Sequence, residues 1–314
     1  MVHGMAYDEQ AEKWFAEESA FSQEIESFWG GEWGVSSEVG KLQAVLLRRP
    51  GAEIDRMTDP EKWRFKELMD PATARSQHDA LAAVYRENGA EVHYVEDMRE
   101  DRPNAIFMRD NIFMTPEGAI VARQATAARR GEELYVCRAL AKLGVPIVRT
   151  ISGHGVFEGA CGMWVDRETI ILGTGNRCNQ EGADQVMETL RWMGVRHFIP
   201  FHIPFGHAHV DGLMNMLDHD LAIIFPWQTS HNVWQELRNR GIEVLQTPSV
   251  EEAKSAAVNF VALAPRKIVM AKGNPLTAEV LDKHGVDITE VDMSEIHKGW
   301  GSIHCMTAFL KREG

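Results

Sequence analysis

A cysteine near the end of the chain has neighbours that could make its thiol reactive. Cys305 follows Gly299 and Gly301, which permit a backbone turn that other residues disfavour, and the apolar alternation after it predicts a short strand. A thiol becomes a useful nucleophile when it is partly exposed and near a base or positive charge, and His304 and His297 are close in sequence. The stretch therefore predicts either a nucleophile or a cysteine packed in a terminal strand.

Three histidines and an aspartate are concentrated in the segment 202–212. His207, His209 and Asp211 alternate along the chain, so an extended backbone would place all three on one side. Histidine is suited to proton transfer near neutral pH. The His-x-His-x-Asp spacing also resembles the Zn²⁺ or Mn²⁺ ligands of metal-dependent hydrolases. Proton transfer without a metal is the favoured interpretation, because Gly212 stands where those metal motifs often have a further histidine.

Carboxylates mark two further stretches. Asp110, preceded by Arg109, follows an apolar run that predicts a strand, and charges at a strand end are either solvated or functional. Glu158 is the carboxylate of the glycine-rich run 153–162. That run lacks the lysine of a phosphate-binding loop, so its glycines are better suited to a close approach of the backbone to a ligand.

The elements that must position these residues recur as a cycle of strand, polar turn, second strand and helix. Strands are predicted at 42–47, 91–95, 105–108, 119–121, 169–172, 221–225, 260–263 and 267–270, and helices from 70 to Gly89 and at 131–143, 181–193, 229–240 and 277–284. No linker-like composition separates these units. We therefore expect a single α/β domain of weakly similar units over 36–314, preceded by a helical extension over 1–35, although a doubly wound sheet would give a similar alternation.

Composition narrows the function classes. The 314 residues have a formal net charge of −13, which argues against a nucleic-acid or anionic-membrane surface but not against a small substrate bound by local arginines. The four cysteines form no CxxC pair, so neither a zinc ribbon nor a disulfide framework is indicated. The N-terminus has no signal-peptide pattern, and no apolar run reaches a membrane span. We expect a cytoplasmic protein without a cofactor; a homo-oligomer is possible.

Taken together, these clusters resemble the guanidino-group-modifying enzymes: arginine deiminase, dimethylarginine dimethylaminohydrolase and glycine amidinotransferase. The resemblance runs from about residue 36 to the C-terminus, with the motifs in family order. They are Phe-Met-Arg109-Asp110, Phe-Glu158-Gly, Gly175-Asn-Arg177-Cys-Asn179, His209-Val-Asp211-Gly and Gly301-Ser-Ile-His304-Cys305. The resemblance implies a five-bladed pseudo-symmetric α/β propeller, the pentein fold, with the active site in its central channel.

The resemblance also implies roles for individual residues. Cys305 would be the nucleophile, His209 the general acid and base, and Glu158 the carboxylate that orients the histidine or contacts the substrate. Asp110 and Asp211 would grip the guanidinium group, whose planar N–H donors match bidentate carboxylates. The implied reaction is hydrolysis of arginine or a related guanidino compound through a covalent amidino-thioether.

Two features limit what the resemblance implies. Arg177 matches an arginine that contacts the substrate carboxylate in arginine deiminases, but an arginine at a strand end is often only part of a surface ion pair. Cys161 stands where many hydrolases of the family have an acidic residue, and we interpret it as a packing thiol. Hydrolysis is the first prediction; transfer of the amidino group to an acceptor amine is the alternative, and metal-dependent hydrolysis is third.

Overall fold

The computed structural model of the protein describes residues 19–313 and contains five three-stranded mixed sheets. The strands are β1 Leu42–Leu47, β2 Glu91–Tyr94, β3 Ile112–Thr115, β4 Gly118–Val121, β5 Ile147–Thr150, β6 Gly162–Asp166, β7 Thr169–Thr174, β8 His197–His202, β9 Met214–Asp218, β10 Leu221–Ile224, β11 Glu243–Gln246, β12 Val261–Ala264, β13 Lys267–Ala271, β14 Asp287–Val291 and β15 Ala308–Arg312. The helices are α1 Phe21–Trp29, α2 Ala52–Asp55, α3 Pro71–Glu87, α4 Glu132–Leu143, α5 Gln180–Trp192, α6 His231–Asn239, α7 Val250–Lys254, α8 Pro275–Lys283 and α9 Ile303–Met306.

Four of the sheets repeat one local pattern. Two consecutive strands pair antiparallel, a helix follows, and a third strand then pairs parallel with the second, as in β3, β4 and β5. Gly118 makes the β3–β4 hairpin possible, because its φ of 134° is disfavoured for other residues and a Cβ would lie 2.4 Å from the Pro146 carbonyl oxygen. Polar caps begin several of the helices; for example, Asp70 accepts a hydrogen bond from the Thr73 amide at the start of α3.

The fifth sheet joins the two ends of the described chain. Strand β15 takes the place of the first hairpin strand and pairs antiparallel with β1, while β2 pairs parallel with β1. Neighbouring sheets are in contact, since β15 contacts β3, β1 contacts β12, and β12 contacts β9. This arrangement agrees with the predicted five-bladed α/β propeller, and it brings the C-terminal Cys305 stretch beside segments from the middle of the chain.

The central strands are buried and the third strands are not. All residues of β3, β4 and β10 are buried, whereas β2, β5 and β11 each have exposed or half-buried positions. The core is therefore formed mainly by the hairpins, and the helices cover the outer strands. Among residues 19–313, no helix is both long and apolar enough to span a membrane.

Two boundary predictions have different outcomes. Part of the predicted N-terminal helix exists as α1, with Ile25 buried, while residues 1–18 lie outside the described range. The strand predicted at 105–108 is wrong: short 3₁₀ turns span Pro103–Ile106 and Met108–Asn111, and the strand begins at Ile112. The physical reason is that the Arg129 guanidinium donates hydrogen bonds to the carbonyl oxygens of Asn104 and Phe107, at 3.2 Å each. These carbonyls therefore do not pair with a neighbouring strand.

Candidate active site

The predicted site residues occupy equivalent places in different sheets. Asp110, Glu158, Asp211 and Cys305 each lie in or next to a short helical turn directly before the first strand of a sheet, and Asn259 lies two residues before β12. The turn that contains Asp110 contacts both α9 and the turn after Glu158, and the latter contacts the turn that contains Asp211. The repeated fold therefore gathers residues that are up to about two hundred positions apart in the chain.

His209 is held between two carboxylates. Its Nε2 donates a hydrogen bond to Glu158 Oε2 at 2.7 Å, and its Nδ1 lies 3.5 Å from Asp110 Oδ1. The Glu158 side chain is fully buried, and its other oxygen accepts from the Ala125 amide at 3.0 Å. These contacts fix the orientation of the ring.

The charges around His209 favour its protonated form. Burial alone would lower the pKa of His209, but the nearby Asp110 carboxylate and the hydrogen bond to Glu158 outweigh it and raise that pKa. Burial would likewise raise the pKa of Glu158, yet the hydrogen bond from His209 and the charges of His209 and Arg177 lower it to about 2. The pair therefore consists of an imidazolium and a carboxylate, which suits a group that donates a proton first and accepts one later.

Cys305 is half-buried, and its thiol lies among polar partners. Its Sγ is 3.6 Å from Asp211 Oδ2 and accepts a hydrogen bond from Asn259 Nδ2 at 3.2 Å. The Asn259 side chain also accepts from the backbone amides of His304 and Cys305 at 3.0 and 3.3 Å, so it fixes α9 as well as the thiol.

The thiol is protonated in this charge environment. Burial raises the pKa of Cys305 well above its usual value, and the Asp211 and Asp110 carboxylates raise it further. A bound cation between the carboxylates and the thiol would reverse the part of this pKa shift that the carboxylates cause.

Two surface cavities, of about 400 and 820 Å³, are lined by residues outside this cluster.

Two arginines form ion pairs with the Glu158 and Asp110 carboxylates. Arg177, with a side chain 16% exposed, lies with its NH1 3.1 Å from Glu158 Oε1. Arg129 is buried and ion-paired with Asp110 Oδ2, and its NH2 lies 2.8 Å from Glu132 Oε2. Asp110 Oδ1, in contrast, is buried and has no hydrogen-bond partner among residues 19–313. A carboxylate oxygen with free lone pairs therefore faces the interior of the site.

Several predicted local geometries are different in the structure. His209 and Asp211 do not share one side of an extended segment, because a 3₁₀ turn spans Val210–Gly212 and directs Asp211 towards Cys305 and His304. His207 does not join them and packs against the Phe225 ring, at 6.3 Å between centroids.

The glycine turn before Cys305 also has a different basis from the predicted one. A Cβ on Gly301 would lie 2.2 Å from a ring carbon of Phe107, so close packing requires the glycine, while the positive φ of 66° belongs to Trp300. One helical turn, α9, separates this segment from β15, so Cys305 lies in the turn itself. His297, the other histidine expected near the thiol, contacts Ser302 Oγ at 3.0 Å.

Cys161 is packed in the core, as interpreted from the sequence. Its side chain is fully buried beside Cys178, and burial raises its pKa well above the usual value. The protein therefore has no acidic group at this position near Glu158.

The structure groups potential metal ligands differently from the His-x-His-x-Asp motif. Among residues 19–313, the His, Cys, Asp and Glu donor atoms that lie within 4.8 Å of one another belong to Asp110, Glu158 and His209. His207 and Asp211 are not part of that group. Within this group, His209 Nε2 and Glu158 Oε2 are already hydrogen-bonded to each other at 2.7 Å.

Two residues of the site, Asn259 and Arg129, were not singled out from the sequence, and neither was Glu38, which lies outside the site and contacts His304. Asn259 directly precedes a predicted strand, which is the position that the motif residues share, and Arg129 is spaced three residues from Glu132. Glu38 belongs to the segment 36–47 at which the family resemblance begins. Their neighbours in space come from distant segments, so spacing alone could not assign them a role.

A model of the family described as N,N dimethylarginine dimethylhydrolase, eukaryotic, matches residues 47–312. The chain belongs to this family. It therefore also belongs to the guanidino-group-modifying superfamily that its motifs resemble. The uncharacterized protein YkgA of Bacillus subtilis is 25% identical over 278 residues, which cover 88% of this chain and 94% of YkgA. Arginine deiminase of Lactococcus lactis is 22% identical, with 89% of this chain and 98% of the relative covered.

Solved structures confirm the fold. The dimethylarginine dimethylaminohydrolase of Pseudomonas aeruginosa, a cysteine-to-serine mutant complexed with citrulline, is similar with a TM-score of 0.71 at 23% identity, covering 86% of this chain and 99% of that one. SxtG, an amidinotransferase of Microseira wollei, is similar with a TM-score of 0.75 at 16% identity, covering 90% and 98%. The predicted five-bladed α/β propeller is thus confirmed.

Replacing Glu158 should lower the pKa of His209. Glu158→Gln keeps the shape of the side chain but removes the negative charge that favours the imidazolium, so the pKa of His209 should fall by about one unit or more. Histidine NMR titration of the ligand-free protein measures this directly. Glu168→Gln changes an exposed carboxylate and is the matched control. An unchanged pKa of His209 in Glu158→Gln would show that Glu158 does not set its charge.

Proposed function

We propose that the protein is a cysteine-dependent hydrolase that acts on the guanidino carbon of arginine or a related guanidino compound. The observation that carries this proposal is the position of the Cys305 thiol, 3.6 Å from a buried Asp211 oxygen and in the field of a second buried carboxylate, Asp110. The products are a ureido compound and ammonia or an alkylamine.

Carboxylates beside a nucleophilic thiol are unfavourable unless the substrate is a cation. Both Asp211 and Asp110 raise the pKa of Cys305 and so disfavour the thiolate that must attack. A guanidinium ion between them satisfies the free Asp110 oxygen, neutralises the excess negative charge and brings a delocalised positive charge next to sulfur. Substrate binding then lowers the pKa of the thiol, which releases its proton to solvent, so the thiolate forms when its target is in place.

The first half of the reaction transfers the amidino carbon to sulfur. The Cys305 thiolate attacks the central guanidinium carbon and forms a tetrahedral adduct, while Asp110 and Asp211 hold the nitrogens that share the positive charge. The C–N bond to the leaving nitrogen then breaks, and His209 donates a proton to that nitrogen. The raised pKa of His209 favours the imidazolium that carries this proton. An amidino-thioether and neutral His209 result.

The second half returns the enzyme to its starting state. Neutral His209 accepts a proton from water as the water oxygen attacks the amidino-thioether carbon, and Glu158 stabilises the imidazolium that forms. The new adduct collapses with cleavage of the C–S bond, and its hydroxyl proton passes to the departing sulfur, which releases the ureido product and restores the Cys305 thiol. His209 has thus regained from water the proton that it gave to the leaving nitrogen, and the hydroxyl proton replaces the one that Cys305 released to solvent.

The relatives support the substrate class. The family description names a dimethylarginine hydrolase, one curated relative is an arginine deiminase, and the Pseudomonas enzyme with its cysteine replaced is complexed with citrulline, a ureido compound. Arg177 is the proposed contact for a substrate carboxylate. In the structure, Arg177 is ion-paired with Glu158. To contact a substrate carboxylate, its guanidinium must therefore either bind both carboxylates or move away from Glu158.

Amidino transfer is the second candidate, and the fold similarity to the amidinotransferase SxtG favours keeping it. The chemistry up to the amidino-thioether is the same. An acceptor amine then takes the place of water, and His209 deprotonates the amine. The two activities differ only in what reaches the intermediate.

Products formed from a panel of guanidines test the proposed function. Arginine, methylated arginines, agmatine and guanidinoacids are each incubated with and without glycine as acceptor, and ureido product, ammonia, alkylamine and new guanidine are quantified. We expect ureido product without an acceptor, a loss of several orders of magnitude in Cys305→Ser, and no change after dialysis against EDTA. New guanidine formed only with the acceptor would identify a transferase. Turnover by Cys305→Ser at more than about a tenth of the wild-type rate would contradict the covalent route.

Removing the charge of either gripping carboxylate should reduce catalytic efficiency. Asp110→Asn and Asp211→Asn keep the side-chain shape but replace a charged hydrogen bond to the guanidinium, so kcat/KM should fall about 100-fold or more. Steady-state kinetics at saturating and low substrate give the size of the loss, and circular dichroism checks the fold. Asp97→Asn, at an exposed position, is the control and should have little effect. Near wild-type efficiency in both site variants would exclude the two-carboxylate grip.

A further inference from the structure

A row of buried charges of alternating sign extends from the site into the protein interior. Asp211 Oδ2 lies 2.8 Å from His304 Nδ1, His304 Nε2 lies 2.8 Å from Glu38 Oε1, and Glu38 Oε2 lies 3.5 Å from Arg109 NH2. All four side chains are at most 2% exposed. The mechanism proposed above uses Asp211 but gives no role to the other three.

The hydrogen bonds define the charge of His304. A carboxylate can only accept, and both ring nitrogens of His304 face carboxylate oxygens, so both nitrogens must carry hydrogen. Burial alone would lower the pKa of His304, but the hydrogen bonds to Asp211 and Glu38 outweigh it and raise that pKa. Burial likewise would raise the pKa of Glu38, yet Arg109 and His304 lower it to about 2, so the base that holds the second proton stays ionised.

The groups around the row are also fixed in place. The Phe309 ring lies edge-on to the His304 ring at 5.5 Å, and the Arg109 guanidinium lies over the same Phe309 ring at 4.8 Å. Arg312, fully buried, adds a second positive charge near Glu38. On the other side of the row, Asp110 and His209 are the charged groups that face the thiol and Asp211. His304 is thus the cation closest to Asp211.

We propose that His304 is a positioning residue: Glu38 keeps it as a buried imidazolium, and this imidazolium keeps Asp211 ionised and oriented for a guanidinium. This inference rests on the proposed function. Two buried carboxylates, Asp110 and Asp211, near one thiol would otherwise favour protonation of one of them when no substrate is bound. The hydrogen bond at Asp211 Oδ2 also places the carboxylate next to Cys305. His304 acts only through Asp211 and does not touch the substrate.

Two variants separate the charge of His304 from its hydrogen bond. His304→Asn leaves a neutral N–H donor near the position of Nδ1 but removes the positive charge. Glu38→Gln leaves His304 in place but removes the negative charge that favours the imidazolium, so the pKa of His304 should fall. Glu91→Gln, an exposed carboxylate far from this row in the sequence, is the matched control.

The pH profile of kcat/KM is the kinetic measurement. Asp211 must be ionised to bind a guanidinium. Burial alone would raise the pKa of Asp211, but the hydrogen bond and the positive charge of His304 hold that pKa below its usual value. Without that charge the pKa of Asp211 rises, so activity should be lost at a higher pH as the solution is acidified, by about 1–3 pH units in both variants. On the plateau above that limb, Glu38→Gln should keep most of its kcat. If kcat/KM of both variants were lost on acidification at the same pH as in the wild type, the proposal would be overturned.

An NMR measurement on the ligand-free protein needs no turnover. Nitrogen-15 shifts of the His304 ring should show both nitrogens protonated at pH 8 in the wild type, and the Asp211 carboxyl carbon should titrate at higher pH in Glu38→Gln than in the wild type. A neutral His304 in the wild-type protein, or an unchanged Asp211 titration, would overturn the proposal even if the variants proved too unstable for kinetics. Wild type that shows the imidazolium but turns over no guanidine would refute the proposed function alone.

Discussion

Buried negative charge around one thiol is the constraint on which this structure depends. Asp110, Glu158 and Asp211 are all buried, and an uncompensated buried charge costs several kcal/mol. Each has a cation as a partner: Arg129 for Asp110, His304 for Asp211, and both His209 and Arg177 for Glu158. Among residues 19–313 these contacts leave Asp110 Oδ1 without a hydrogen-bond partner, 3.5 Å from His209 Nδ1, and we propose that a cationic substrate binds between this oxygen and Asp211.

The repeated fold solves the problem of bringing these groups together. Four of the five sheets consist of a hairpin, a helix and a parallel strand, and the residues directly before the first strand of a sheet lie near those of the neighbouring sheets. One repeat supplies Asp110, the next Glu158, the next Asp211 and the next Asn259, and the strand that closes the ring follows Cys305. Because β15 pairs with β1, the nucleophile is placed only when both ends of the ring are joined.

The sequence predicted which residues the fold brings together better than it predicted the local geometry. Residue types and motif order singled out Cys305 and His209 as candidates, and central strands such as β4 and β10 were recognisable because they are buried apolar runs. The first hairpin strands β3, β6 and β9 and the partly exposed third strand β5 were not predicted, whereas β2 was, at 91–95. The short turns before each sheet were misjudged, since an apolar run such as 105–108 predicts a strand unless one knows that Arg129 binds its carbonyls. Glu38, Arg129 and Asn259 act through neighbours from distant segments, and a single sequence does not contain that information.

The covalent step is the central claim, and rapid acid quenching during a single turnover tests it most directly. Acid protonates His209 and stops hydrolysis, so the amidino-thioether should be trapped and the peptide containing Cys305 should gain the mass of the amidino group donated by the substrate. We expect this adduct on Cys305 and on none of Cys137, Cys161 or Cys178 in the wild-type protein. Product formation at the wild-type rate with Cys305 unmodified at every quench time would contradict it.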